Sequence, residues 1–149
     1  MWCYVGLAVG DLVSGILSYW FESRRKAVAL LMLFAAIGTL IFLYAGIRTS
    51  TGLYLMCLWT GFGIGYWAMF VTIGAEQFGT NVRATAATTI PNMVRGTVVL
   101  MTTLYTFLKP QVMELYAAGI VGVICFGIGF YCIKTIPETH HKDLDFVED

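Results

Sequence analysis

The sequence predicts an all-α integral membrane protein, on three observations. Of its 149 residues, 58% are hydrophobic and only 12% charged, and the mean hydropathy of +0.77 lies outside the range of soluble globular domains. Five apolar runs are each long enough to cross a hydrocarbon core of about 30 Å, a distance that takes roughly 20 helical residues. The charges fall between those runs, with Asp11 and Arg95 as exceptions. The runs lie near residues 2–20, 27–47, 53–75, 86–108 and 115–133 of a single membrane domain, with a polar tail over 134–149.

The first run carries Gly6, Gly10, Ser14 and Ser18 at a spacing of four, a stripe of small residues that lets a neighbouring helix approach closely. Asp11 sits beside it near mid-bilayer, where a carboxylate costs at least about 2.5 kcal/mol, so it is expected to face protein. No Lys or Arg precedes this run, which argues against a cleaved signal and for retention of the first helix. Tyr19 and Trp20 mark an interface, and Arg24, Arg25 and Lys26 form a basic loop, either a topology anchor or part of a gate. The second run has no charge and no polar stripe and is expected at the lipid-facing periphery. In the third, GFGIGYW places Gly61 and Gly65 on a close-packing or bending face. Tyr66 and Trp67 lie too deep for an interfacial belt, and either pack in a core or line a pathway.

The fourth run is the most polar. Thr85, Thr88, Asn92, Arg95, Thr102 and Thr106 recur on one helical face, which calls for water or a polar partner. Pro91 and Gly96 predict a kink near Asn92 and Arg95. The fifth run, rich in Gly and Ile, is again expected at the periphery. Asp11 and Arg95 sit at similar depth, so the simplest arrangement is a mutual pair. The alternative has Arg95 meeting substrate or water and Asp11 finding another partner.

The segment AEQFGTNVRATAATTIPNMVRG, residues 75–96, separates the third and fourth runs. It sets Glu76 at a helix C-terminus and Arg83 at a helix N-terminus, each against its own macrodipole by about 0.3 to 1 kcal/mol. Both charges are expected to pair with each other or with charges on neighbouring loops. Arg24, Arg25, Lys26, Arg83, Lys134 and Lys142 fall on one side of the five-span arrangement, and Arg48 and Lys109 on the other. The positive-inside bias makes the first side cytoplasmic, so the expected location is the plasma (inner) membrane, multi-pass, with the C-terminus inside. Cys3, Cys57, Cys125 and Cys132 lack metal-ligand spacing, and the adjacent His140 and His141 supply no closed ligand set. No metal, cofactor, nucleic-acid partner or catalytic constellation is expected.

Three motifs in order resemble the C-terminal half of the major facilitator superfamily, closest to its sugar porter branch. EQFGTNVR, residues 76–83, is similar to that branch's E-x-F-P-x-x-x-R loop, with Gly79 in the proline's place. IPETHHKDLD is similar to its PETKG-type tail, and GILSYWFESRRK resembles the superfamily's G-x-L-x-D-R-x-G-R-R loop, with Glu22 as an insertion. The resemblance implies the last five of twelve spans in a twelve-helix bundle, whose missing N-terminal helices would complete a path for alternating access. It also implies a cytoplasmic gate cluster of Arg24, Arg25, Glu76 and Arg83, joined by Glu138. Asp11, Tyr66, Trp67, Asn92 and Arg95 become candidates for the substrate pathway.

The expected function is thus transport of a small solute, a sugar or another small organic compound, with the lipid bilayer and the missing helices as partners. The competing reading is a non-transporting multi-pass membrane protein, a degenerate paralogue or helix-packing partner, in which the same charges fix topology and fold. A start site within a longer gene is the expected explanation of Met1.

Overall fold

The computed structural model describes residues 1–47 and 49–139. Among the described residues six helices follow in order: α1 (Trp2–Trp20), α2 (Arg24–Tyr44), α3 (Ser50–Ile64), α4 (Trp67–Glu76), α5 (Arg83–Leu108) and α6 (Glu114–Thr135). Among the described residues there is no strand. The expectations for Arg48, His140, His141 and Lys142 lie outside the described residues.

Among the described residues four stretches are long and apolar enough to cross a membrane: α1, α2, the Ser50–Glu76 stretch that holds α3 and α4, and α6. The expected fourth span, now α5, does not join them. Its 26 residues reach about 39 Å at 1.5 Å each, but its threonines, Asn92 and Arg95 make it too polar. The large apolar side chains left exposed, Leu12, Ile16, Val99, Leu100 and Tyr131 among them, form the kind of exterior that a bilayer accommodates.

Small residues dictate how α1 and α3 meet. The buried residues of α1 are Gly6, Gly10, Ser14 and Ser18, the stripe expected from the spacing. A Cβ on Gly10 would collide with the Phe62 carbonyl and stand 2.9 Å from Gly65 Cα, so the two backbones touch. The third run is broken at this contact. α3 ends at Ile64, Gly65 and Tyr66 leave helical geometry with ψ of 12° and 5°, and α4 restarts at Trp67. Gly65 therefore both packs and bends.

α2 corrects the expectation of a peripheral helix. It buries Ala27, Val28, Leu31, Met32, Ala35 and Gly38, and Ala27 and Val28 form a core cluster with Met69 and Ile73 of α4. Its small residues let α3 in: Gly63 lies against Ala35, Trp59 packs over Gly38, and Trp59 also stacks on Phe34 at 4.3 Å and donates to the Phe34 carbonyl at 3.2 Å. α6 stays at the edge, burying only Ala117 and Gly119. α5 packs along α4 and α6 and buries no residue.

Candidate functional site

The break between α3 and α4 collects the polar side chains at mid-helix depth. A helix that restarts inside a bundle has orphan N–H groups and a partial positive charge at its first turn, and Tyr66, at the N-cap position of α4, has no side-chain acceptor for them. Asp11 of α1 supplies one. Its Oδ1 stands 3.5 Å from the Ala68 N–H, a long contact that places the carboxylate against the N-terminus of α4. The close approach of Gly10 to Gly65 carries Asp11 there.

Arg95 reaches the same turn from α5. Its guanidinium carbon lies 5.9 Å from the centroid of Trp67, a cation–π distance, and Nη1 donates to Asn92 Oδ1 at 3.2 Å. Asn92 Nδ2 in turn donates to the Thr88 carbonyl at 3.0 Å. Among the described residues Asp11 and Arg95 form no ion pair, the simple arrangement expected of them; Asp11 faces the Ala68 N–H and Arg95 the Trp67 ring. The two aromatic candidates also part company: Tyr66 packs against the α2–α4 core, whereas Trp67 turns to Arg95.

The Thr face of α5 satisfies itself. Thr88, Thr102 and Thr106 donate to carbonyls three or four residues back at 2.7 to 2.9 Å. Helix α5 runs on through Pro91, and the interrupted span is the third, at Gly65 and Tyr66. The face stays exposed along α5, with Thr106 next to the Lys109 end.

A second constellation occupies the end shared by residues 21–23, 77–82 and 136–139. Arg24 Nη1 and Glu76 Oε1 form an ion pair without the alignment of a hydrogen bond, and Glu76 is 6% exposed. Arg24 opens α2 and Glu76 closes α4, so each charge opposes its own helix dipole and is compensated by the other. The expected basic loop is in fact the first turn of α2. Ser23 caps it by accepting from the Lys26 N–H at 3.3 Å, and Glu138 seats its carboxylate on the same turn. Glu138 accepts from the Ser23 hydroxyl, from the N–H of Arg24 at 3.1 Å and Arg25 at 3.4 Å, and from Thr139 at 3.1 Å. Burial alone would raise this carboxyl, but those hydrogen bonds outweigh it and hold its pKa below the ordinary 4.5.

Arg25 donates to the Lys134 carbonyl at 2.8 Å, and Gln77 to that of Pro137 at 3.4 Å. Arg83 Nε donates to the Phe78 carbonyl at 3.3 Å, and Arg83 lines one crevice with Glu76. All five gate candidates thus lie at one end, linked through backbone as much as through charge. Ser23, Ala68 and Thr139 are the contributors that sequence reasoning missed. A serine just before a basic run is an N-cap signal that identifies Ser23, whereas no local signal marks a backbone N–H such as that of Ala68.

Among the described residues no group of three or more His, Cys, Asp or Glu side chains is placed to hold a metal ion. Comparison of the chain with protein-family models, with curated proteins and with solved structures gives no match. The geometry defines a helical chain with four candidate membrane spans, one of them interrupted and lined by charge at the interruption.

Proposed function

We propose that the chain is part of a secondary transporter that moves a small solute, a sugar or another small organic compound, by alternating access. The observation that carries this reading is the interrupted α3–α4 span with Asp11, Trp67, Asn92 and Arg95 gathered at its break. Non-helical backbone at membrane depth is tolerated where it is buried in protein or lines a cavity, and solute sites in transporters gather at such half-helix ends. Arg95 and Trp67 then contact solute from α5 and α4, while Asp11 positions the first turn of α4. The Arg24–Glu76 pair and the Glu138 seat hold one end of the bundle together and release it during the cycle. The resemblance to the C-terminal half of a major facilitator protein supplies the remaining helices, which cover the exposed face of α5, and a cytoplasmic placement of the charged end in the plasma (inner) membrane.

The test is uptake by the gene's full product in proteoliposomes against a panel of sugars and small organic acids. Uptake of at least one compound is expected, with Arg95→Gln and Trp67→Ala each lowering kcat/KM about tenfold or more at unchanged folding, the loss of about 1.4 kcal/mol of differential binding. Folded protein that moves none of the panel, or wild-type uptake in both variants, returns the chain to the non-transporting reading.

A further inference from the structure

A crevice of about 610 Å³ opens between the first turn of α2 and the last turn of α6. Its rim carries Arg25, Lys26 and Lys134, and its floor is apolar, made by Ala29, Phe130 and Ile133. One carboxylate, Glu138, also borders it. That carboxylate already faces the Ser23 hydroxyl and three backbone N–H groups. Among the described residues neither lysine has a carboxylate partner, and both are exposed. Three cations against one carboxylate leave the rim net positive among the described residues.

Depth decides what suits this place. Arg25 is the second residue of α2 and Lys134 the second from last of α6, two of the helices long enough to cross a membrane. In a bilayer spanned by them, the rim lies at headgroup level and the floor about one turn inside it. We propose that the crevice binds an anionic phospholipid, its phosphate held by Lys26 and Lys134 and its first acyl methylenes laid on Phe130 and Ile133. Basic pockets between helix ends with an apolar base suit this ligand, because phosphate and hydrocarbon arrive joined in one molecule. Arg25 keeps one nitrogen on the Lys134 carbonyl at 2.8 Å, which fixes the two sides of the rim to each other before any lipid arrives. The site is separate from the α3–α4 break, so it stands or falls independently of solute transport.

The full chain, reconstituted in phosphatidylcholine nanodiscs, is titrated with spin-labelled phosphatidylglycerol or spin-labelled phosphatidylcholine, and the motionally restricted fraction is read by electron paramagnetic resonance. Selective retention of phosphatidylglycerol is expected, reduced about fivefold by each of Lys26→Gln and Lys134→Gln and further by the pair. Lys109→Gln, at the other end of the bundle, leaves the preference unchanged. Helical circular dichroism and thermal unfolding equal to those of the parent show that the variants are folded. Equal retention of the two lipids, or an unchanged preference in the folded double variant, overturns the proposal. Complete displacement by millimolar inorganic phosphate overturns it too, since the site would then serve a soluble anion.

Discussion

α1 and α5 both carry small or polar residues at helical spacing, and the structure treats them in opposite ways. The stripe of α1 is buried, Gly6 and Gly10 backbone on backbone against the α3 segment and Ser14 and Ser18 beside Ala68, Met69 and Thr72 of α4. The Thr, Asn and Arg face of α5 is exposed, and its hydroxyls bond back to their own helix. Periodicity alone says that one side of a helix is different; residue chemistry decides what that difference is for. Glycine has no side chain to satisfy and gains only by contact, whereas threonine can stay unpartnered by others at little cost.

The strongest way to break the packed half is to strand a charge in it. Arg24→Gln leaves Glu76 buried beside an uncharged side chain and should destabilise the chain by about 3 to 5 kcal/mol, read as a shifted SDS unfolding midpoint in detergent micelles. Adding Glu76→Gln to Arg24→Gln should recover most of that loss, because no lone charge then remains; no recovery would mean that the pair is not what anchors α4 to α2.

The comparison is sharpest when one substitution is made in both helices. Gly10→Ala drives a Cβ into the Phe62 carbonyl and should cost about 1 to 3 kcal/mol. Gly96→Ala in α5 meets nothing within 4 Å and should stabilise by up to about 1 kcal/mol through helix propensity. Equal effects in the two unfolding titrations would erase the contrast between the helices.

A smaller effect is expected where Asp11 of α1 meets the N-terminus of α4. Asp11→Leu removes the acceptor at the N-terminus of α4 and should cost about 0.5 to 2 kcal/mol, while Asp11→Asn, which keeps an oxygen there, should cost less. Amide exchange at Ala68 should quicken in the first variant only.

The smallest effect is one of pH. Because the folded-state pKa of Glu138 is lowered, its contribution is fully present above the ordinary carboxylate value of 4.5 and is lost as pH falls through the depressed folded value. Protection of the Arg24 and Arg25 amides should be level above pH 4.5 and drop below it, and the drop should vanish in Glu138→Gln. Protection that falls nearer neutral pH would exclude Glu138 as its cause.

Legibility in the sequence followed contrast. The α1 stripe and the Gly61 and Gly65 face, read as close-packing or bending, stood out because small residues interrupt bulky ones, and the Glu76 and Arg83 dipole mismatches stood out because they are charges at helix ends. α2 was misplaced because Ala27, Leu31, Ala35 and Gly38 lie among equally apolar neighbours, so its buried face has no polar opposite. The partner of Glu76 was sought nearby at Arg83 as well as on other loops, and the structure finds it 52 positions upstream, at Arg24. Asp11 against the Ala68 N–H was beyond reach for a different reason. It depends on where α3 stops, and a backbone donor has no residue type to announce it.

The seat of Glu138 on the first turn of α2 also has a dimension in time. Glu138 lies 114 residues after Arg24, so at about 5 to 20 residues per second the turn waits roughly 6 to 23 s for this carboxylate to be synthesised. Early in that interval, before Glu76 is made 52 residues after Arg24, the turn carries positive charge without either of its later carboxylate partners, the condition in which basic residues steer how a helix enters a bilayer. Only once the chain has reached residue 138 does the same turn change occupation, from a signal read during insertion to a clasp between the second helix and the last.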